Sequence, residues 1–440
     1  MPDSSTSLLV ADGKAALTSY AAYTQQGGYQ ALRQALGQMS PADIIAEVQA
    51  AGLRGRGGSG VSAASKMSLV ANAQAQEGQR YVVCNAYDAD TRSLAAQALL
   101  ERNPHAVLEG IALAAYAVGA TEAFLYLRST REPAAQTAQA ALREAVEQGA
   151  LGRNIFGSRF SLAITAVGVE RGFMGGEETS MLEIIKGRPM KAQQRPPYPT
   201  EVGLYAQPTL VQNAETLANL PTIIARGAQA FKATGSQTTS GAKLLTVLAP
   251  GQTTGALVEL PFGATLAQAL RDARVEVSEA TARAVVVGGM EGGALPLAQL
   301  DTPFDFESLQ ELGAIVGAGV IEALPANTCM AHWAMERATY LSKESCGKCV
   351  PCRVGVKRVA GLLEGIISGL GTQNDLTVLT EFSQYIPDGS LCGFGVNAVH
   401  PIVTAMQYFA DDFTAHLEGR CPTGTCEPVR AHRYATKHVL

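Results

Sequence analysis

The stretch Cys346-Gly-Lys-Cys349-Val-Pro-Cys352 decides how the C-terminal part of this 440-residue chain folds. Its cysteines follow the spacing C-x2-C-x2-C, and a fourth cysteine, Cys392, stands further along in Ser-Leu-Cys-Gly. A loop with this spacing can wrap three corners of an iron–sulfur cube, while a remote thiolate supplies the fourth ligand of a [4Fe–4S] cluster. The competing interpretations are a zinc site, which favours two separated C-x2-C pairs, and four ordinary buried thiols. The spacing favours the cluster over both.

Composition and charge exclude several classes of protein. With 47% hydrophobic and 17% charged residues, disorder is excluded as the dominant state. The formal net charge of -5 argues against a nucleic-acid or anionic-membrane surface. Neither a secretory signal nor an apolar run long enough to span a bilayer is visible, so we expect a cytoplasmic protein. Clustered cysteines in that compartment indicate metal ligands or redox groups before disulfides.

A second group of candidate metal ligands combines Cys329 with residues near the C-terminus. Cys421 and Cys426 flank Pro-Thr-Gly-Thr shortly after His416. Three cysteines and one histidine form the ligand set of a structural Cys3His zinc site. The same side chains could instead ligate part of a cluster in a partner, or be unremarkable tail thiols, and the sequence leaves these alternatives open. Cys84, which lies in a run of valines, is interpreted as a core residue.

Hydrophobic periodicity predicts a mixed α/β chain in which the predicted helices and strands are short between about residues 240 and 300. An Ala/Leu-rich alternation of helices and strands predicts helices packed on a sheet in the first half. We expect helical structure over 31–51, with Ser40 before Pro41 as an N-cap and first-turn pair, and helices over 94–117, 134–148 and 211–225. Strands are expected over 81–84, 123–127 and 160–169. Later we expect strands over 244–248 and 285–287 and helices over 266–273, 330–342, 355–368, 376–385 and 398–418. The expected domains are a helical lead-in (1–50), an α/β domain (51–240), a small α+β module (241–328) and a helical bundle (329–440).

A glycine-rich loop, Gly55-Arg-Gly57-Gly-Ser-Gly60, matches the pattern G-x-G-x-x-G. Such a loop lets backbone N–H groups approach a phosphate, and Arg54, Arg56 and Lys66 add positive charge. No clear strand precedes the loop and no acidic residue follows in the usual ribose position, which argues against an ordinary Rossmann dinucleotide site. The alternative is a tight turn with solvated basic residues.

Two adjacent carboxylates, Glu177 and Glu178, follow the glycine turn Gly175-Gly176 and precede a predicted helix. Acidic residues are common in a first helical turn because they interact favourably with the helix dipole. The functional interpretation is that one carboxylate accepts hydrogen bonds from a ligand's hydroxyl or amide groups. Both interpretations remain open at this point.

Several motifs occur together in one order along the chain. They are Gly52-Leu-Arg-Gly-Arg-Gly-Gly-Ser-Gly60, Cys84-Asn-Ala86, Gly176-Glu-Glu-Thr179, Pro196-Pro-Tyr-Pro199, Asn213-Ala-Glu-Thr-Leu217 and Glu344-Ser-Cys-Gly-Lys-Cys-Val-Pro-Cys-Arg353. On these motifs the chain resembles the flavoprotein subunit of NADH dehydrogenases, the complex I 51 kDa family. Related chains are the diaphorase subunits of NAD-reducing hydrogenases and the beta subunits of NAD-dependent formate dehydrogenases. The resemblance extends from about Leu32 to Cys426.

The resemblance implies a fold and a set of cofactors. The fold would be a Rossmann-like FMN domain, a ubiquitin-like soluble-ligand-binding β-grasp (SLBB) module and a helical bundle that carries the [4Fe–4S] cluster. The chain would be an NAD(P)H dehydrogenase subunit in which Glu177 and Glu178 serve as catalytic residues. Cofactor contacts would come from Gly55, Arg56, Gly57, Gly58, Lys66, Asn85, Asp88, Asp90, Phe173, Gly176, Glu177, Glu178, Tyr198, Val211, Gln212, Asn213 and Thr216.

Departures from the family pattern concentrate where the nicotinamide nucleotide binds. Two phenylalanines that stack on the adenine of NADH in relatives are replaced by Val61 and Leu69, while the third stacking position, Tyr198, stays aromatic. Tyr87 replaces an aspartate near the flavin, the neighbouring Asp88 and Asp90 replace glutamates, and Phe173 replaces a tyrosine. Two hypotheses follow: a subunit that still exchanges hydride between NAD(P)(H) and FMN, or an electron-relay or scaffold subunit that has lost NAD(H) binding. The family pattern favours the first.

The resemblance also predicts partners. We expect a separate thioredoxin-like [2Fe–2S] subunit and a larger iron–sulfur or molybdenum/nickel subunit, because no such domain is recognised in this sequence. The complex would be cytoplasmic, either free or peripheral on a membrane-bound assembly. Quinone, formate, hydrogen and ferredoxin all remain open as its terminal substrate.

Overall fold

The computed structural model describes residues 8–9, 16–170 and 172–426. Residues 1–7 and 10–15 of the predicted lead-in therefore lie outside the described residues. The chain forms two compact units that interleave along the sequence. The first comprises the described residues up to Pro189, Arg195–Leu245 and Leu257–Ala264, and the second comprises Met190–Gln194, Thr246–Ala256 and the described residues from Thr265 onward.

The first unit is built on a four-stranded parallel sheet. Its strands are β1 (Tyr81–Ala86), β2 (Glu122–Arg128), β3 (Ala163–Val169) and β4 (Thr209–Asn213), in the order β3-β2-β1-β4. All neighbouring pairs are parallel. The chain runs outward from β1 through β2 to β3 and then returns to the other side of β1. Ligands of open parallel sheets bind at such a reversal, beyond the carboxyl ends of the strands.

Helices surround this sheet, and their caps follow from the sequence. They are α1 (Tyr20–Gln25), α2 (Gln30–Gln38), α3 (Pro41–Ala51), α4 (Ala63–Asn72), α5 (Ala95–Arg102), α6 (Pro104–Val118), α7 (Glu132–Glu147), α8 (Glu178–Ile185), α9 (Ala214–Ala218), α10 (Leu220–Arg226) and α11 (Ala228–Lys232). Short 3-10 turns cover Gln76–Gly78, Ile155–Gly157, Phe173–Gly176 and Leu204–Ala206. The predicted cap at Ser40 is confirmed, because its hydroxyl accepts from the N–H of Asp43 in a reciprocal capping box.

Two sequence-based expectations for the first unit are wrong in detail. The helix predicted over 94–117 is two helices, because Pro104 lacks an N–H and starts α6 instead of continuing α5. The helix predicted over 211–225 begins three residues late, since Val211–Asn213 complete strand β4. Thr209 and Val211 are β-branched and buried, and pairing with β1 outweighs the helical periodicity that follows them.

Helix α6 passes very close to the backbone of α9. A Cβ atom built on Gly110 would lie 2.0 Å from the carbonyl oxygen of Leu217, which is closer than two heavy atoms can approach. The glycine therefore sets how near α6 lies to the Asn213–Leu217 motif.

We expect Gly110→Ala to destabilise the first unit by about 1–3 kcal/mol, because the added methyl must push backbone rather than a flexible side chain. The thermal unfolding midpoint, followed by circular dichroism, should fall by several degrees. The control is Gly37→Ala in α2, an exposed position with nothing within 4 Å of the added Cβ. An unchanged midpoint in Gly110→Ala would contradict the close approach.

A second sheet contains five strands. They are β5 (Ala242–Leu248), β6 (Ala256–Pro261), β7 (Ala282–Val287), β8 (Gly293–Leu295) and β9 (Val320–Pro325), in the order β6-β5-β9-β7-β8. Residues 246–248 of β5 pair in parallel with β9, and β7 is antiparallel to both β9 and β8. The strands predicted over 244–248 and 285–287 are confirmed, whereas β6, β8 and β9 were not anticipated. The 3-10 turns Gly289–Glu291 and Leu297–Gln299 also belong to this region.

The C-terminal part of the second unit is helical. Helices α12 (Leu266–Asp272) and α13 (Phe306–Glu311) lie between strands of the second sheet. After β9 the chain forms α14 (Met330–Glu344), a π-helical turn (Pro351–Val356), α15 (Lys357–Ile367), α16 (Gln373–Gly389), α17 (Gly393–Asn397), α18 (His400–Tyr408) and α19 (Ala410–Leu417). Helix α14 packs against α15 and α18. The single helix predicted over 398–418 is wrong, because Pro401 starts α18 and Phe409, with φ near -134°, separates α18 from α19. Across the described part of the chain, every helix is too short or too polar to cross a bilayer.

Candidate functional site

The carboxyl ends of β1 and β4 bring two asparagines together. Asn85 and Asn213 are partners in the parallel register of these strands. The Asn85 amide donates to the carbonyl oxygen of Gly176 over 3.2 Å, and the Asn213 side-chain oxygen accepts from the N–H of Glu215 over 2.9 Å. Asn85 thus connects to the glycine turn before the paired glutamates, and Asn213 caps α9. Three of the motifs identified in the sequence therefore meet at one edge of the sheet.

The glycine-rich loop folds back on itself above β4. The N–H of Gly55 donates to the carbonyl of Val61 over 2.8 Å, and Arg54 and Ser62 form an antiparallel bridge. Gly58 and Gly60 have φ values of +110° and +64°, which favour glycine over other residues. A Cβ atom on Gly57 would lie 3.4 Å from Cβ of Asn213, so the loop lies directly against the end of β4.

The Arg56 side chain points into the interior of the protein. Only 1% of it is exposed, and its guanidinium donates to the carbonyls of Arg54 and Ser240 over 2.9 and 2.6 Å. The guanidinium also lies 4.7 Å from the ring centroid of Phe262. Its backbone N–H donates to the Thr216 hydroxyl over 2.8 Å. The Arg56 side chain therefore anchors the loop, and its predicted cofactor contact remains a prediction.

The two predicted carboxylates belong to a network with two cations. The ammonium group of Lys66 lies 2.5 Å from Glu178 and donates to the carbonyl of Val211 over 2.9 Å. One Arg195 nitrogen lies 2.9 Å from both Glu177 and Glu178. Two positive and two negative side chains make the network neutral, and each is between 10% and 24% exposed. Lys66 and both glutamates were predicted from the sequence but Arg195 was not, although that residue directly precedes the Pro196-Pro-Tyr-Pro199 motif.

Glu177 has a second role as the cap of α8. Its carboxylate accepts from the Ser180 N–H over 2.8 Å and from the Thr179 hydroxyl over 2.6 Å. These bonds fix one carboxylate oxygen at the helix start, while the other faces Arg195. The capping role of Glu177 is therefore confirmed, and the predicted contact of the acidic pair with a ligand remains a prediction.

We expect Lys66→Met to weaken binding of FMN to the apoprotein by about 10- to 100-fold, since it removes one charge-assisted donor. The dissociation constant is measured by quenching of FMN fluorescence. Lys186→Met is the matched control, because Lys186 pairs with Glu183 on α8 and takes no part in the Lys66 network. Equal affinities of the two variants would contradict the assignment of Lys66.

The residues that depart from the family pattern after β1 make contacts within the protein. Tyr87 is fully buried, donates to the carbonyl of Gly172 over 2.8 Å, and lies under the glycine turn, where a Cβ atom on Gly175 would meet its ring at 2.9 Å. Asp88 accepts from the N–H groups of Ala96 and Gln97 over 3.1 and 3.0 Å. The aromatic replacement thus supports the glycine turn from below.

The other predicted contacts differ in accessibility. Asp90 is 1% exposed and pairs with Arg92 over 2.9 Å, and Gln212 is also buried. Phe173 is half-buried in its 3-10 turn. Val61, Leu69 and Tyr198 are 50%, 57% and 52% exposed, so the two aliphatic replacements and the retained ring all face solvent.

The cysteine triplet lies on the turn between α14 and α15. Cys346 and Cys349 are partly exposed, whereas Cys352 and Cys392 are buried. Burial, together with the nearby Cys349 and Cys346 thiols, raises the pKa of Cys352 to about 11. A Cβ atom on Gly395, three residues after Cys392, would lie 3.3 Å from Cβ of Cys352. The remote cysteine is therefore held beside the triplet, and this all-thiol donor set fits an iron–sulfur cluster, whose iron supplies the positive charge that deprotonates the ligands.

The second predicted metal group is also brought together. The ligand atoms of Cys329, His416, Cys421 and Cys426 all lie within 4.8 Å of one another. His416 donates through Nδ1 to the carbonyl of Asp412 over 2.6 Å, because a carbonyl can only accept, and its Nε2 lies 3.8 Å from the Cys329 sulfur. A histidine that ligates a metal through one nitrogen is commonly held by its other nitrogen in this way.

The electrostatics of this group favour a bound cation. A hydrogen bond from Cys426 lowers the pKa of the Cys329 thiol to about 4, and the pKa of Cys426 is raised in return. Burial opposes charge on His416, but its contact with Cys329 prevails and raises the pKa to about 9. A thiolate facing an imidazolium is an arrangement that a metal ion can replace by displacing protons.

Comparisons with known proteins agree with this geometry. Residues 48–222 match the family described as the Nuo51 FMN-binding domain, and residues 332–416 match the NADH-ubiquinone oxidoreductase-F iron-sulfur binding region. The NADP-reducing hydrogenase subunit HndC of Solidesulfovibrio fructosivorans is 36% identical over 92% of this chain and 82% of its own length. An NADH-quinone oxidoreductase subunit of Rhizobium meliloti (strain 1021) is 35% identical over 91% of this chain and 95% of its own length.

A solved structure is similar over the same range. It is the crystal structure of an NAD+-reducing [NiFe]-hydrogenase in the H2-reduced state, with a TM-score of 0.78 and 30% identity over 93% of this chain and 69% of that chain. The fold, the residues gathered at the carboxyl ends of β1 and β4, the four cysteines and these matches thus define an electron-transfer flavoprotein subunit of a larger NAD(P)H-linked oxidoreductase. The chain belongs to the Nuo51 family, which comprises the FMN-binding subunits of NADH-quinone oxidoreductases and the related hydrogenase subunits.

Proposed function

We propose that this chain exchanges hydride between NAD(P)H and FMN held at the carboxyl ends of β1 and β4, and passes electrons singly to a [4Fe–4S] cluster. The observation that carries this proposal is the convergence of the glycine loop, Lys66, Asn85, Asn213 and the Glu177–Glu178 pair at one edge of the sheet. FMN supplies the hydride-accepting and one-electron chemistry, while the protein supplies binding, orientation and electrostatics.

The charged and polar side chains at the carboxyl ends of β1 and β4 have different roles in this proposal. Lys66 is the donor suited to an anionic group of the cofactor, and Thr216 and Asn213 place polar groups beside the glycine loop. Glu178 holds the Lys66 ammonium in position through a 2.5 Å contact, and Arg195 neutralises the remaining carboxylate charge. We assign Glu177 and Glu178 to orienting Lys66 and Arg195 toward the reacting partners, because their carboxylate oxygens bond to these two cations.

One observation favours the alternative function, an electron-relay or scaffold subunit without nicotinamide turnover. By the resemblance to the family, Val61 and Leu69 take the positions of the two adenine-stacking rings, and both are at least half exposed. The loss of two stacking contacts removes about 1–3 kcal/mol of nucleotide binding, equivalent to a factor of several to over a hundred in affinity. Because Tyr198 and the carboxylate network are retained, we favour turnover with weaker nucleotide affinity.

Anaerobic addition of NADH or NADPH to the purified complex distinguishes these functions. We expect the flavin absorbance at its visible maximum to bleach with at least one nucleotide, at millimolar rather than micromolar concentrations. Dithionite added to a second sample serves as the control, since it reduces a competent flavin without a nucleotide site. Bleaching by dithionite alone would establish the relay function, and a preparation without flavin would contradict both the FMN site and hydride exchange.

We propose further that the second sheet with its helices is the SLBB-like module and that α14–α19 form the cluster-bearing bundle. The partners would be a thioredoxin-like [2Fe–2S] subunit and a larger iron–sulfur or catalytic subunit. Support comes from the relatives, whose names place them in multisubunit quinone reductases and hydrogenases. The complex would work in the cytoplasm, free or peripheral on a membrane.

We propose zinc as the metal at Cys329, His416, Cys421 and Cys426, because three thiolates and one imidazole match a closed tetrahedral site. Elemental analysis of the purified complex should find one zinc per chain, and Cys421→Ser should lose it while the iron content stays unchanged. Cys84→Ala is the control, since Cys84 lies buried in β1 and should leave both metals in place. Zinc that persists in Cys421→Ser, or is absent from the wild-type complex, would contradict the assignment.

A further inference from the structure

A serine hydroxyl lies against one of the buried cluster cysteines. Ser345 ends α14 and directly precedes Cys346, yet its Oγ is 3.2 Å from the sulfur of Cys352. The same oxygen lies 3.3 Å from the N–H of Gly347, which donates to it. Gly347 has a φ of +76°, so the chain turns back sharply enough for this contact. The turn thus places one hydroxyl between a backbone donor and a ligand sulfur.

The direction of the bond to sulfur follows from proton counting. A hydroxyl has one proton to donate, and its oxygen already accepts from Gly347. A cysteine that ligates iron is a thiolate without a proton, so Cys352 can only accept. Cys352 is 4% exposed, and water therefore competes poorly for its sulfur. With a cluster bound, Ser345 donates and Cys352 accepts.

We propose that Ser345 is a positioning residue that raises the reduction potential of the [4Fe–4S] cluster through this hydrogen bond. Reduction adds one negative charge, which spreads onto the ligand sulfurs, and a donor to one of them stabilises the reduced state more than the oxidised state. Hydrogen bonds to sulfur are among the factors that set cluster potentials. The inference rests on the proposed function, because it requires the cluster at Cys346, Cys349, Cys352 and Cys392.

A second serine in the same neighbourhood provides a matched control. The Ser390 hydroxyl donates to the carbonyl of Ile386 over 2.6 Å, so its proton is used by the backbone of α16. A Cβ atom on Gly395 would contact both Ser390 Oγ and Cys352 Cβ, which places Ser390 close to the same cysteine. Removal of this hydroxyl changes the local packing but removes no donor to sulfur.

The test is a potentiometric titration of the whole complex, followed by electron paramagnetic resonance of the reduced cluster. Iron content and the spectrum of the reduced state are recorded first for wild type, Ser345→Ala, Ser345→Val, Ser345→Thr and Ser390→Ala. We expect Ser345→Ala and Ser345→Val to be harder to reduce. At the wild-type midpoint their ratio of reduced to oxidised cluster should be about three- to tenfold lower. Ser345→Thr, which keeps the hydroxyl, and Ser390→Ala should have the midpoint potential of the wild type.

Each other outcome overturns a defined part of the argument. A loaded cluster with an unchanged potential in Ser345→Ala would refute the tuning role, and an equal shift in Ser390→Ala would assign the effect to packing. Loss of iron in both Ser345→Ala and Ser345→Val, but not in Ser345→Thr, would show that the hydroxyl serves assembly instead. Absence of a cluster from the wild-type complex would refute the proposed function itself.

Discussion

The parallel pairing of β1 with β4 places Asn85 opposite Asn213, and the candidate FMN site at the carboxyl ends of these strands depends on that register. Because side chains alternate along a strand, a slip of either strand by one residue would turn its asparagine to the other face of the sheet and separate the pair. The glycine loop lies on Asn213, and the turn before the paired glutamates is held by Asn85. The pairing therefore organises loops that come from distant parts of the sequence. It also explains why Gly110 must be small, since α6 supports the backbone that follows β4.

The second unit depends on a different constraint, which is the free-energy cost of burying a charged thiolate next to other cysteine sulfurs. Burial and neighbouring sulfur raise the pKa of Cys352 to about 11, so the site without a metal disfavours a thiolate at this position. At Cys329 the balance is reversed, because Cys426 and His416 supply protons and the pKa of the thiol falls to about 4. Before metal binds, Cys352 is therefore a neutral thiol, whereas Cys329 and His416 form an internal ion pair. This difference matches the all-sulfur and mixed ligand sets of the two sites.

Features that depend on residues a few positions apart could be predicted from the sequence. They are the cysteine triplet at Cys346–Cys352, the acidic pair at Glu177 and, in the fold, the helix cap at Ser40. The meeting of Cys329 with His416, 87 residues away, was only one of several open alternatives, because it depends on how α14 packs with the end of the chain. Strand β4 was missed because five residues carry too little periodicity to compete with the helices that follow. The inward direction of Arg56 depends on Ser240 and Phe262, and no local pattern reports such contacts.

The interleaved order of the two units has a consequence for anyone who wishes to divide this protein. Residues 190–194 and 246–256 belong to the second unit, yet residues of the first precede and follow each of them. No single cut in the gene therefore yields two fragments that each contain one complete unit and nothing of the other. A shortened protein that contains only the first unit or only the second would require deletion and rejoining of the chain at several places. The first and second units are therefore separate in the folded structure, but no single position in the sequence separates them.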